Sequence, residues 1–149
     1  MKIALLGYGR MGKAIEKIAK NRGHEIVARI DKDQIEGTLE YANVAINFSI
    51  PDAAVNNIFS ALSIAIPVVC GTTGWLENFK KVTDFTVKNK TAFLYASNFS
   101  IGVNLFFKLN EQLVKMMNNQ SDYKVSIEEI HHIHKLDAPS GTAITLAEG

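Results

Sequence analysis

The chain has 149 residues, 47% of them hydrophobic and 21% charged, a balance that excludes intrinsic disorder and fits one globular domain of ordinary size. With 16 Lys and Arg against 15 Asp and Glu the net charge is +1, so nothing in the composition calls for nucleic acid or an anionic membrane. No apolar run is long enough for a secretory core or a membrane span, and Cys70 has no second cysteine to pair with, so the expectation is a cytoplasmic protein in a reducing compartment.

Residues 2–6 form a short apolar run that stops at Gly7 and read as a buried strand. Met11, Ala14, Ile15, Ile18 and Ala19 recur at helical spacing, and Gly23 ends that helix after a basic last turn. Residues 25–30 are rich in β-branched side chains and read as a second strand, residues 44–48 as a third. Pro51 suits a first helical position, and Val55, Ile58, Phe59 and Leu62 share one helical face. Residues 67–70 give a fourth strand, Trp75, Phe79 and Val82 open another amphipathic helix, and residues 92–96 give a fifth strand. Leu105, Leu109, Leu113 and Met116 stripe a longer helix. Strands alternating with helices through short connections predict an α/β fold, a Rossmann-type doubly wound parallel sheet covered on both faces.

The order changes after the polar stretch 118–122. Residues 123–132 read as a strand leading into a loop and a helix that starts at Ser140. The expected organisation is a dinucleotide-binding domain over 1–119 and the first part of an α+β substrate domain over 120–149. A chain ending on a helix that has just begun reads as truncated.

Gly7-Tyr8-Gly9-Arg10-Met11-Gly12 matches G-x-G-x-x-G directly after the first strand and at the head of the first helix. Gly7 permits a tight turn, Gly9 the approach of a pyrophosphate, and Gly12 the close packing of helix on strand. Amides at the helix start, with the helix dipole, then hold the anion. Asp31 stands about 20 positions further on, where an acidic side chain reads the ribose hydroxyls of NAD. Lys32 beside it can offset the repulsion between Asp31 and the 2′-phosphate of NADP, so the expected cofactor is NADH, NADPH or both.

Parallel sheets bind ligands at the carboxyl ends of their strands. Those ends carry Ser49 after the third strand, Gly71-Thr72-Thr73 after the fourth and Ala96-Ser97-Asn98-Phe99 after the fifth. Together they offer the small, hydroxyl and amide groups that a nicotinamide ribose and carboxamide require.

Three of the four histidines fall at His131, His132 and His134, followed by Lys135 and by the helix start at Ser140, Gly141 and Thr142. A helix N-terminus with bare amides and a lysine binds a carboxylate or phosphate, and an imidazole titrating near neutrality donates a proton. His132 and His134 share a face and raise a zinc reading, but Lys135 opposes a dication and no matching cysteine or aspartate pair accompanies them. The residues favour an anion-binding, proton-donating site without metal.

The run from Glu129 to Ala143 resembles the signature of the dihydrodipicolinate reductase family of lysine biosynthesis. The resemblance covers essentially the whole chain, including Arg10-Met11-Gly12, Gly71-Thr72-Thr73-Gly74, Asn98-Phe99-Ser100 and Gly102-Val103-Asn104. Many members carry one more residue in the glycine loop, and the position of Ser126 is often a glutamate. The resemblance implies hydride transfer from a nicotinamide to a small cyclic dicarboxylate with loss of water, giving tetrahydrodipicolinate. His131 matches the family's proton donor and acceptor, Lys135 its second proton donor, and His132, Gly141 and Thr142 its contacts to the substrate carboxylates. Ser140, at the head of the same helix, is grouped with them. It also implies longer chains with a further mixed sheet that builds a homotetramer. Two other readings stay open: another two-domain nicotinamide dehydrogenase, for example one acting on an amino acid, and a dinucleotide-binding module without turnover.

Overall fold

The computed structural model describes residues 1–32, 34–133, 135 and 138–148; Asp33, His134, Leu136, Asp137 and Gly149 lie outside the described residues. Two compact units divide the chain, Met1–Ala96 and Ser97–Gly149. The sequence places a boundary after residue 119 instead. The helix before that point makes its contacts with the last helix of the chain, which is why the two fall in one unit.

The first unit is a six-stranded sheet with helices on both faces. Its elements are β1 (Lys2–Leu6), α1 (Arg10–Asn21), β2 (Glu25–Asp31), β3 (Gln34–Gly37), β4 (Val44–Asn47), α2 (Pro51–Ser63), β5 (Val68–Cys70), α3 (Phe79–Lys88) and β6 (Phe93–Tyr95). The sheet order is β3-β2-β1-β4-β5-β6, parallel throughout except for β3, which pairs antiparallel with β2. Chain progression reverses between β1 and β4, the switch point at which open α/β sheets open a crevice.

The strands alternate their side chains between two cores, as a pleated strand must. Ile3 and Leu5 of β1 pack with Ala19 and Ile15 of α1, whereas Ala4 and Leu6 join Ala54, Ile58, Ala61 and Leu62 of α2. Trp75, buried to 2% exposure, closes the second core edge-on to Phe93 and Tyr95, with ring centroids at 5.9 and 5.6 Å. Its indole N–H donates to the Thr72 carbonyl at 2.7 Å, so the same residue anchors the turn that follows β5.

Three elements differ from expectation in this unit. α3 begins only at Phe79 and leaves Trp75 outside it, buried beside the turn after β5. β3 has no sequence signal, because all four of its residues are exposed and only Ile35 is a large apolar side chain. Its existence depends on pairing with β2, which no local pattern announces. α1 forms where expected but is turned: the side facing the sheet carries Gly12, Ile15, Glu16 and Ala19, while Met11 and Ile18 are half exposed. The close packing of Gly12 on Gly7 sets that rotation, and a carboxylate takes a position that hydrophobicity alone gives to Ile18.

The second unit contains α4 (Ile101–Met117) and α5 (Gly141–Glu148). Ser100 caps α4, and the Asn110 side-chain amide donates to the Leu146 carbonyl of α5 at 2.9 Å. The expected apolar stripe of Leu105, Leu109, Leu113 and Met116 stays exposed, because α4 turns Val103, Phe107 and Asn110 inward instead. Residues 123–132 form no strand. A strand is stabilised by a ladder of main-chain bonds to a neighbour, and all six strands of the sheet come from the first unit.

Candidate functional site

The glycine loop occupies the switch point. Gly7 has φ +93°, a left-handed conformation that disfavours any side chain, and a Cβ there would fall 2.3 Å from the Phe48 carbonyl oxygen. A Cβ on Gly12 would meet the Gly7 carbonyl oxygen at 2.4 Å, so the helix sits as close to the loop as its backbone allows. Gly9 differs: nothing lies within 4 Å of the position its Cβ would take. Gly9 also heads α1 without a side-chain cap, and the first helical bond runs from Lys13 N–H to the Gly9 carbonyl at 3.1 Å. The amides of the first turn thus have no acceptor within the helix. Open space beside uncapped amides suits a diphosphate.

A cleft of about 620 Å³ opens here, walled by Gly7, Gly9, Arg10 and Met11 on one side, by Asp31 and Lys32 at the end of β2, and by Phe48, Ser49 and Ile50 beyond β4. Both oxygens of Asp31 are engaged with main chain: Oδ2 accepts the Tyr8 N–H and Oδ1 the Lys32 N–H, each at 2.8 Å. This ties the acidic residue to the loop it serves and leaves lone pairs for a diol, since each carboxylate oxygen accepts two bonds.

Phe48 joins three strand ends. Its N–H donates to the Leu6 carbonyl of β1 at 2.9 Å, and its ring sits where a Cβ on Gly71 would come within 2.3 Å. Ser49 N–H donates to Thr72 Oγ1 at 2.9 Å, linking the rim beyond β4 to the turn beyond β5. Gly71 and Thr72 are thereby brought to Ser49. Thr73 follows in the same turn, and Ala96, just past β6, donates its N–H to the carbonyl of Cys70 at the end of β5. In the second unit Ser97 Oγ lies 3.0 Å from Thr145 Oγ1, and Asn98 Oδ1 accepts the Ser100 N–H at 2.8 Å, so both serve local structure there. Phe99 is half exposed.

Tyr8 turns its side chain away from the cleft, onto Glu16. Its hydroxyl donates to Glu16 Oε2, and Arg29 clamps the same carboxylate, with Nε at 2.9 Å from Oε2 and a terminal nitrogen on Oε1. Lys20 adds a contact at 2.6 Å. Hydrogen bonding from Arg29 outweighs burial and, with Lys20 and Tyr8, holds the Glu16 carboxyl far below the usual range; Glu16 in turn raises Arg29. Sequence reading missed this cluster because Glu16 looks like a surface charge until the helix rotation is known.

The histidine segment forms its own local arrangement in the second unit. Glu129 was not among the expected site residues, yet its Oε2 lies 2.9 Å from His131 Nε2 and its Oε1 accepts the Ser140 N–H at 2.8 Å. These bonds, Ser140 first and His131 next, bring the Glu129 carboxyl from 4.5 down to about 2. The Ser140 amide is therefore occupied rather than bare. Ser140 Oγ accepts the Ala143 N–H at 3.1 Å, so Ser140 caps α5, and Gly141 and Thr142 supply the amides that lack an acceptor in the helix. Lys135 N–H donates to the His132 carbonyl at 3.0 Å. His134 of the zinc reading lies outside the described residues. Among the described residues no three His, Cys, Asp or Glu side chains are grouped to hold a metal, and no helix is long and apolar enough to cross a membrane.

Comparison with known proteins agrees along nearly the whole length. A 4-hydroxy-tetrahydrodipicolinate reductase from Christiangramia forsetii is 57% identical over 99% of the chain, and one from Thermosipho africanus is 37% identical over 98%. The chain spans 63% and 65% of the length of these relatives. Among solved structures, an NAD-binding protein from Listeria innocua superposes with a TM-score of 0.58 at 17% identity, covering 76% of this chain and 39% of that one, a likeness of fold alone. Residues 1–99 match the family described as dihydrodipicolinate reductase, N-terminus, and residues 102–149 the one described as dihydrodipicolinate reductase, C-terminus. The chain belongs to the dihydrodipicolinate reductase family.

Proposed function

We propose that the protein reduces 4-hydroxy-tetrahydrodipicolinate to tetrahydrodipicolinate with NADH or NADPH, in lysine and diaminopimelate biosynthesis. The observation that carries this is the 57% identity, over 99% of the chain, to a relative bearing that reductase name. In this reading a bound reduced nicotinamide supplies the hydride. Gly7, Gly9, Gly12, Arg10, Met11 and the first turn of α1 hold the pyrophosphate, with Tyr8 fixing the loop. Asp31 accepts the adenosine ribose hydroxyls, and Lys32 lies on the same cleft wall to meet a 2′-phosphate. Ser49, Gly71, Thr72, Thr73, Ala96, Ser97, Asn98 and Phe99 serve the nicotinamide end.

Reduction with loss of water adds one hydride and one proton to the substrate. His131, held by Glu129, serves as proton donor and acceptor and Lys135 as the second donor: one proton leaves with the hydroxyl as water, one is taken from the substrate and one is returned with the hydride, a net uptake of one. His132, with the amides of Gly141 and Thr142, binds the carboxylates; Ser140 contributes by capping the helix that presents those amides. The reading extends to a cofactor domain followed by a substrate domain, to the cytoplasm, and to a homotetramer of the full-length protein.

A spectrophotometric assay tests it. The product of the coupled synthase reaction, given with NADH or NADPH to this chain and to a longer version, should cause substrate-dependent loss of reduced nicotinamide. Dinucleotide binding without oxidation by either version would reduce the protein to a binding module. Absence of binding would overturn the cofactor site as well.

A further inference from the structure

We infer that Glu16 and Arg29 are positioning residues for the dinucleotide, acting through Tyr8 to hold the glycine loop in its ligand-ready shape. The inference deepens the cofactor reading above and rests on it.

Tyr8 stands between two glycines, the residues that lose most freedom when a loop is ordered. It is pinned at both ends. Its N–H donates to Asp31 Oδ2 at 2.8 Å, and its hydroxyl donates to Glu16 Oε2. The Arg29 guanidinium lies over its ring at 5.7 Å from the centroid, and the Lys13 ammonium at 5.9 Å. Glu16 belongs to the helix whose first turn faces the cleft, and Arg29 to the strand that ends in Asp31. The cluster therefore ties together the loop, the helix and the strand that must meet at one ligand. Arg29 extends the tie to the sheet edge through Glu36 of β3 at 3.3 Å.

Stability alone is a poor reason for such a group. Glu16 is 7% exposed, and desolvating an ion pair commonly costs as much as its attraction returns, so apolar replacements are often neutral or better. What the pair supplies and an apolar pair would not is a fixed acceptor for the Tyr8 hydroxyl. Because the tyrosine side chain points to Glu16 rather than into the cleft, its effect on a ligand passes through the backbone. A loop ordered in advance spares the complex that ordering cost on binding.

The test is a titration of this chain with NADH and, separately, NADPH, with Tm measured alongside. Tyr8→Phe removes one hydroxyl and keeps the ring; Glu16→Gln keeps the shape and removes the charge. Both should weaken Kd about tenfold, as expected for loss of a hydrogen bond to a charged group. The effect should be equal for the two dinucleotides, since the pyrophosphate is common to both. Asp84→Ala, which breaks the exposed Lys80–Asp84 pair on α3, should leave Kd unchanged. A merely structural cluster would lower Tm and leave Kd at the wild-type value well below Tm, and that result overturns the inference. So does a change confined to one dinucleotide. Wild-type chain that binds neither dinucleotide removes the cofactor reading itself, whereas wild-type binding with an unchanged Kd in both variants removes only the positioning role.

Discussion

Glu129 Oε2 lies 2.9 Å from His131 Nε2, two residues further along the chain, while the other Glu129 oxygen holds the Ser140 amide. One carboxylate thus joins the imidazole to the capped end of α5. A histidine so held has one ring nitrogen committed to an acceptor and the other, Nδ1, to offer.

For the imidazole itself, His131→Gln should lower kcat by about 10²–10⁴-fold, the usual share of general acid catalysis, with a much smaller change in KM. Steady-state kinetics would measure both. A large rise in KM at constant kcat would make His131 a binding residue instead.

The carboxylate predicts a pH dependence with a definite sign. Glu129 is depressed in the folded protein, from 4.5 to about 2, by its bonds to Ser140 and His131. Its contribution is therefore complete above about pH 4.5 and is lost as the pH falls through about 2. The amide-exchange protection factor of Ser140 should hold steady from neutral pH to about 4.5 and decline below it. Glu129→Gln, which cannot titrate, should show no such decline over the same window.

Asp31 accepts two amides before any ligand is considered, so its removal affects both the loop and the ribose contact. Asp31→Ala should weaken NADH binding by roughly tenfold or more, the scale of a lost charged hydrogen bond. An unchanged Kd for both NADH and NADPH, measured by fluorescence titration, would exclude Asp31 as the ribose residue.

Gly12→Ala places a Cβ 2.4 Å from the Gly7 carbonyl oxygen, a backbone atom that cannot swing aside. The expected loss is about 1–3 kcal/mol, the range for overpacking a tight contact. Denaturant unfolding followed by circular dichroism would read it, and wild-type stability in this variant would mean that α1 shifts freely on the sheet.

The cofactor half of the fold was legible because its signals are local. The glycine fingerprint, the alternating strands and Asp31 all lie within short, patterned stretches. β3 was not, since its pairing with β2 is a tertiary property written into no hydrophobic period. The rotation of α1 was misread for a related reason: Met11 and Ile18 outweigh Gly12 and Glu16 on any hydrophobic count, but the close approach to Gly7 decides which side faces inward. Residues 123–132 alternate like a strand, yet a strand needs a neighbour. In the site, residue types pointed to His131, Lys135 and the helix head. Glu129 was passed over because nothing in its spacing separates it from Glu128; only its bonds to His131 and Ser140 do.

Phe48 has a genetic consequence. The Cβ missing at Gly71 would strike the Phe48 ring, whereas the Cβ missing at Gly7 would strike the Phe48 carbonyl. A smaller side chain at Phe48 can therefore compensate a substitution at Gly71 but never one at Gly7, because every residue has a carbonyl. Along this rim Gly71 is free to drift in concert with one partner, and Gly7 has no second-site suppressor at that position.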